Sequence, residues 1–539
     1  MRVRTRSIAA AALATSLALF AAACGGTTDT GAGQEGGEIT VRGCTPENPL
    51  IPSATTEVCG GNVLDAAFTQ LIRYNPETAA PELDIAESIE TEDNVTFTVK
   101  IKKGYKFQDG TEVKAKNFVD GWNWGAYGPN GQQSSFFFEP IEGFADVQCT
   151  DDKCETTKAK TMSGLNVVDD YTFTIKTSSP ISNLPVRLGY STFAPLPDAF
   201  LNAEDKEAFS KLPIGSGPFK IIENSDTQIV LEKFADFSGD NKPHVDKVTF
   251  KIYNDAAAAY NDVVANNLDL TDVIPADQLV EDAWKKALPD RNGLQTTGVI
   301  QVMSYSPADE QFKNLDLRRA FSMAFDRELI TKQIFAGTRT PANGWVPPVV
   351  DGFKDNACGD NCKFDAAEAK KLYDAAGGYK GTLRLSVNGD GGHKEWADAV
   401  CNQWKNNLGA DCVVNITPDF KTLRQQIRNG ELKGIFRSGW QMDYPSIENF
   451  LTPIYATGAS SNDSKFNNPE FDAKLKEAAA ATDPAEANRL YQEAEAIIAA
   501  NMPTVPQWYA NNPYGFSDKV TDVRLTPFAR WDLTSVKVK

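Results

Sequence analysis

Apolar and polar residues alternate with a period of two in three short runs. TFTVKI (Thr96–Ile101), YTFTIKT (Tyr171–Thr177) and VTFKIY (Val248–Tyr253) each put every second side chain on one face, which predicts half-buried strands. Between such runs the period changes to that of a helix. Asn314 to Phe335 carries Leu317, Ala320, Phe321, Ala324, Phe325 and Ile330, an apolar stripe at helical spacing. Asp365 is placed to cap the helix in DAAEAKKLYDAAGG, and Gly377 to end it. Asp483-Pro484 opens a further helix through Ala500, with proline at its first position. Strands and helices alternate from Ile39 to the end of the chain, which predicts an α/β fold. There is no fixed-period repeat, and no long low-complexity linker divides residues 39–539. A chain of 539 residues exceeds one domain, so its domains must pass the chain back and forth rather than sit in a row.

The start of the chain has a different pattern. Arg2, Arg4 and Arg6 precede an apolar run from Ile8 to Ala23, the layout of a secretory signal over residues 1–23. The run ends Ala21-Ala22-Ala23-Cys24-Gly25, which resembles a bacterial lipobox. That reading makes Cys24 a diacylated N-terminus, and two acyl chains are enough for stable anchoring without a spanning helix. An ordinary signal peptide cut at an Ala-x-Ala site is the alternative. Residues 24–38 are Gly- and Thr-rich and read as a flexible tether. Their GAGQEG formally matches GxGxxG, but no strand precedes it and no helix follows, so the nucleotide reading fails.

Composition removes several function classes. Lys and Arg number 54 against 72 Asp and Glu, a net charge of −18, which argues against a nucleic-acid partner. Two histidines, His244 and His393, exclude a His-rich metal centre. No Gly-x-Ser-x-Gly elbow is present, so a catalytic triad is disfavoured. With Cys24 assigned to lipid, eight of the nine cysteines remain, an even count that reads as disulfides in an exported protein. Nearest-neighbour pairing, Cys44 with Cys59, Cys149 with Cys154, Cys358 with Cys362 and Cys401 with Cys412, is favoured because each pair closes a short loop. Zinc is disfavoured, because no two cysteines show CxxC spacing.

Four segments occur in an order that carries a resemblance. They are GYKFQDGTEVKAKNFVDGWNW (Gly104–Trp124), PIGSGPFKI (Pro213–Ile221), FKNLDLRRAFSMAFDRELI (Phe312–Ile330) and PANGWVPP (Pro341–Pro348). Three of them have a local explanation. Asp109-Gly110 is a turn signal, Gly215, Gly217 and Pro218 form another turn, and Asp326-Arg327 is a local ion pair. Together they resemble the extracytoplasmic solute-binding proteins of ABC importers, specifically the peptide/nickel class, family 5. The resemblance implies a two-lobed periplasmic-binding-protein-like fold of type II, with a hinge and an extra domain on lobe I. Lobe I is then expected over residues 39–72, 206–300 and 510–539, the extra domain over 73–205 and lobe II over 301–509. The chain would cross between lobes near Val299–Tyr305 and Val505–Asn511.

The same resemblance places the ligand loop at FRSGWQMDYPSIENFL (Phe436–Leu451). It implies that Asp443 meets a peptide's α-ammonium, a role suited to a buried carboxylate. Gly439, Trp440 and Gln441 would offer main-chain groups to an extended peptide, as in strand addition. Arg437 matches an arginine that can meet the peptide's carboxylate, depending on ligand length, and Tyr444, within the loop, is a further expected ligand-binding residue. Glu57 and Val58 fall where a second peptide-pairing strand is expected, and Phe136 or Phe137 where an aromatic covers the ligand. The bland alternative makes Asp443 a turn cap before Pro445, paired with Arg437, and makes the adjacent phenylalanines core. The implied function is capture of oligopeptides outside the membrane and delivery to an ABC permease with cytoplasmic ATPases. The receptor would be a monomer held by its lipid anchor, with no cofactor and no chemistry of its own. The class also carries nickel complexes, haem, oligosaccharides and opines. A secreted hydrolase using paired carboxylates, and a receptor acting mainly in signalling, are the rival readings.

Overall fold

The computed structural model describes residues 33–539 apart from Gln34, Glu47, Thr56, Glu57, Asp152, Asn254, Asp390, Gly391, Asp419 and Ser460. The signal, Cys24 and most of the tether lie outside the described residues.

One 11-stranded sheet runs through the molecule. In chain order its strands are β1 (Glu38–Gly43), β2 (Phe219–Asn224), β3 (Gln228–Lys233), β4 (Lys247–Ile252), β5 (Leu270–Thr271), β6 (Asn292–Tyr305), β7 (Arg339–Pro341), β8 (Leu383–Asn388), β9 (Cys412–Thr417), β10 (Ile435–Gln441) and β11 (Thr504–Phe516). Their spatial order is β9-β8-β10-β6-β11-β5-β1-β4-β3-β2, with β7 added to β11. The two longest strands, β6 and β11, are antiparallel neighbours at the middle of this order. Each therefore belongs to both halves of the sheet. Their register slips between Thr296 and Ile300, so the ladder is interrupted where the chain passes from one half to the other.

A separate four-stranded antiparallel sheet contains Ala86–Thr91, Thr96–Ile101, Thr172–Lys176 and Leu165–Asp169. The helix Ala115–Ala126 buries Phe118 and Trp122 against it, in contact with Phe173 and Phe193. This core draws on residues from Leu71 to Phe193 and, from far along the chain, Tyr444. A second core joins Ile39–Phe68 to strands β2–β5 and the C-terminal segment. Ala194, Leu196 and Phe200 pack there, so the chain rejoins that core before the boundary expected at residue 205. Two further cores flank β6, β10 and β11: one around Phe321 and Trp404, the other around Trp345 and Tyr491.

The quoted motifs hold this scaffold together. Gln108, next to the Asp109-Gly110 turn, donates from Nε2 to Ala67 O at 3.0 Å and Phe219 O at 2.7 Å, and accepts from Gly215 N at 2.9 Å. Gly215 must be glycine, because a Cβ there would lie 1.9 Å from Ala67 O. The stripe over Asn314–Phe335 is not one helix but two, Leu315–Met323 and Arg327–Gln333. Asp326 restarts the second as its N-cap, accepting from Leu329 N at 2.9 Å. Arg327 is not a surface ion-pair partner. It is buried, and donates to the main-chain oxygens of Ser322, Cys362 and Pro506 at 2.8–3.0 Å. Burial pulls its guanidinium down to about 9. Disulfides join Cys44–Cys59, Cys149–Cys154, Cys358–Cys362 and Cys401–Cys412.

Candidate ligand-binding cleft

Strand β10 carries the loop residues singled out in the sequence. On one side it pairs antiparallel with β6 from Ile435 to Gln441. On the other it pairs with β8 only at Ile435 and Phe436. Among the described residues, Ser438–Gln441 thus have a ladder on one edge only. An exposed edge of this kind accepts an added strand. Gly439 is required by the approach of β6, since a Cβ there would lie 2.8 Å from Ile300 O.

At the end of β10 the chain turns, and Asp443 follows. Asn449, on the helix Glu448–Tyr455, holds the turn in three ways. Its Oδ1 accepts from Asp443 N at 2.9 Å and from Trp440 Nε1 at 3.1 Å, and its Nδ2 donates to Asp443 Oδ2 at 3.0 Å. One buried amide therefore fixes both the carboxylate and the indole. Asp443 is only half-buried by surface area, yet it sits deep enough that desolvation pushes its carboxyl up to about 6. Asn449 and Arg530 oppose that shift, Glu448 adds to it and Arg187 reduces it. Tyr74 and Tyr190 also face the carboxylate. Burial raises both phenols, and the Asp443 charge raises them further.

A cavity of about 460 Å³ lies nearby, beside Asp65, Tyr74 and Arg530. A second, of about 280 Å³, runs along β10 and is lined by the cations Arg339 and Arg437 and by His393, beside Trp440 and Trp508. Burial pulls Arg339 down to about 10, so an arriving anion would relieve a desolvated cation. Trp508 is 1% exposed and its Nε1 has no partner among the described residues. The cleft therefore has a carboxylate at one end of an open strand edge and a cationic pocket toward the other.

The other expected residues divide. Phe136 is 54% exposed and stacks on Phe137, which stacks on Tyr190 at 4.3 Å. This aromatic ladder leads to the phenol beside Asp443. Ser134, just before it, donates through N to Ser53 O at 2.9 Å and through Oγ to Thr55 O at 3.4 Å. The ladder thus adjoins the segment that leads to Val58, which opens the helix Val58–Ala67 and is exposed. Glu57 lies outside the described residues. Tyr444 is placed differently from expectation. It is 3% exposed, packs in the core of residues 71–193 and donates its OH to Glu448 Oε2 at 2.8 Å, so it offers the cleft little surface. Asn449, Arg530, Tyr74, Tyr190, Arg339, His393 and Trp508 were not anticipated. All but Asn449 come from segments far from the 436–451 loop in the chain, and no local pattern marks the cluster they complete.

A sheet shared by two halves, crossed by two long strands beside a charged cleft, defines the class: a two-lobed binding protein of the periplasmic type. Solved structures agree. CtaP, an ABC transporter substrate-binding protein from Listeria monocytogenes, superposes with a TM-score of 0.80 at 22% identity, covering 94% of this chain and 100% of that one. The model for bacterial extracellular solute-binding proteins, family 5 Middle, matches residues 80–462. The chain belongs to that family of bacterial extracellular solute-binding proteins. The oligopeptide-binding protein OppA of Bacillus subtilis is 25% identical over 520 residues, 93% of this chain and 94% of the relative. The periplasmic murein peptide-binding protein MppA of Escherichia coli is 27% identical over 444 residues, 79% of each chain.

Proposed function

We propose that the protein captures oligopeptides in the cleft and delivers them to an ABC permease with cytoplasmic ATPases. The observation that carries this is the half-open edge of β10 at Ser438–Gln441, ending at a desolvated carboxylate. An extended peptide adds its main chain to that edge while its α-ammonium meets Asp443. Its carboxylate lies toward Arg339, Arg437 and His393. Arg437 and Asp443 are six residues apart, roughly 15–20 Å of chain, which suits a peptide of about four to six residues. Trp440 and the Phe136–Phe137–Tyr190 ladder supply apolar walls that tolerate many side chains. The names of OppA and MppA, which specify peptides, support the same ligand class.

The lobes of this receptor are read from its cores. Lobe I takes residues 39–70, 194–300 and 510–539, the extra domain takes 71–193, and lobe II takes 301–509. The receptor acts as a monomer without a cofactor and without turnover, anchored to the outer face of the cell membrane through Cys24. Mass spectrometry of ligand released from the purified, acid-treated protein tests the ligand class. A ladder of short peptides is expected; a single non-peptide solute would overturn it.

A further inference from the structure

Glu448 lies five residues beyond Asp443 and directly before Asn449. It is 3% exposed, and its Oε2 collects three donors. These are Arg187 Nη2 at 2.8 Å, Asn183 Nδ2 at 2.9 Å and Tyr444 OH at 2.8 Å. Arg187 Nε also donates to Asn183 Oδ1 at 3.1 Å, and its guanidinium lies 5.0 Å from the centroid of the Tyr444 ring. Arg187 and Asn183 sit on and beside the short helix Leu184–Arg187, whose Leu184 belongs to the core of residues 71–193. Glu448 and Tyr444 come from the ligand loop. The ion pair therefore crosses between the extra domain and lobe II, and Tyr444 inserts into the extra domain's core beside it. Two further hydrogen bonds of the same interface, from Ser182 N to Ala479 O at 2.9 Å and from the Asn94 side-chain Nδ2 to Ala481 O at 2.8 Å, extend the seam.

A carboxylate this buried keeps its charge where a cation and strong donors hold it, as Arg187, Asn183 and Tyr444 do here. Without the cation, that charge is left to act on Asp443, five residues before it. We infer that Arg187 of the extra domain is a positioning residue for ligand capture: it neutralises Glu448, leaves Asp443 to meet the incoming cation, and ties closure of the extra domain onto lobe II to that charge. The inference rests on the proposal that Asp443 receives a peptide ammonium. The groups facing Asp443 are Glu448, Arg187 and Arg530, with the phenols of Tyr74 and Tyr190. Those facing Arg187 are Glu448, Tyr444 and Tyr491. Of these, Glu448 works against an ionised Asp443, and Arg530 and Arg187 work for it. The Arg187–Glu448 pair thus adds its own balance of charge beside Arg530, the larger favourable cation, which also pairs with Asp65.

The test measures peptide affinity from pH 5 to 7.5. The probe is the tightest binder from a synthetic mixture of free-amine tri- to hexapeptides, and the proteins are wild type, Arg187→Gln, Glu448→Gln and the double variant. Arg187→Gln is expected to raise the pH midpoint of binding by about one unit, and so to weaken binding about twofold at pH 7 and about tenfold at pH 5. Glu448→Gln is expected to lower the midpoint, and the double variant to return close to wild type. A merely structural arginine would weaken binding equally at every pH, and Glu448→Gln would not rescue it; that result, or an unmoved midpoint, overturns the inference. If Arg187→Gln does not fold, the midpoint of Glu448→Gln decides alone, a downward shift supporting the inference and no shift refuting it. Asp443→Asn separates the two levels. If it abolishes the pH dependence while Arg187→Gln leaves the midpoint in place, the peptide reading stands and this inference fails. If it binds as tightly as wild type, or no peptide of the mixture binds wild type, the peptide reading falls and takes the inference with it.

Discussion

Replacing Asp443 by asparagine should make the ligand-free protein more stable while it weakens ligand binding. Burial raises the Asp443 carboxyl to about 6 in the folded protein. In the unfolded chain it titrates near ~3.9, so ionisation at neutral pH costs the fold about 2–3 kcal/mol. Because the folded value is the higher one, the cost is fully present above about pH 6 and vanishes as the pH falls below about 4. Asparagine keeps an acceptor for Asn449 Nδ2 and carries no charge, so it removes the cost without opening a cavity. Scaled to a chain of this size, the gain corresponds to roughly 2–3 °C in the midpoint of thermal unfolding at pH 7, shrinking toward zero near pH 4. Scanning calorimetry of both proteins, freed of ligand, across pH 4 to 7.5 measures it. An Asp443→Asn protein that folds but is less stable than wild type at pH 7 would refute the claim that the carboxylate is held in an unfavourable setting for its ligand's sake.

Gly439→Val places a side chain 2.8 Å from Ile300 O, and is expected to cost about 1–3 kcal/mol by denaturant unfolding and to weaken peptide binding together. Arg339→Gln and Arg437→Gln should each weaken a free-carboxylate peptide about tenfold or more in calorimetry and leave its C-terminal amide nearly unaffected, since only the former carries the charge they meet. Cys24→Ala should lose the lipid mass shift and leave the membrane fraction; unchanged fractionation would contradict the anchor.

Local pattern and local structure agree where the contacts are local. Thr96–Ile101 is a strand over the residues its alternation marks. The caps Asp365 and Asp483 accept from the first-turn amides at 2.9–3.1 Å, because capping is decided within four residues. Gly377 follows its helix in the left-handed conformation, φ 81°. The stripe over Asn314–Phe335 misled because periodicity does not register a mid-stripe cap such as Asp326. The Phe436–Leu451 segment stood out through resemblance, and its Gly439 is explained by the close approach of β6. What escaped were the partners brought by the fold. Arg187, Arg530 and Tyr190 reach the 443–449 turn from distant segments, and only burial makes their charges matter there. The burial of Tyr444 escaped for the same reason: the core of residues 71–193 that encloses its ring is far away in the chain.

The central claim is that Asp443 pairs with a peptide's ammonium, and calorimetry in a double-mutant cycle tests it most directly. The four titrations are wild type and Asp443→Asn, each with the same short peptide bearing a free or an N-acetylated amine. The free-amine peptide should lose about 2–5 kcal/mol on mutation, the acetylated peptide should bind wild type poorly and lose little more, and the coupling should exceed about 1 kcal/mol. Equal binding of both peptides to both proteins, with no coupling, would contradict the account.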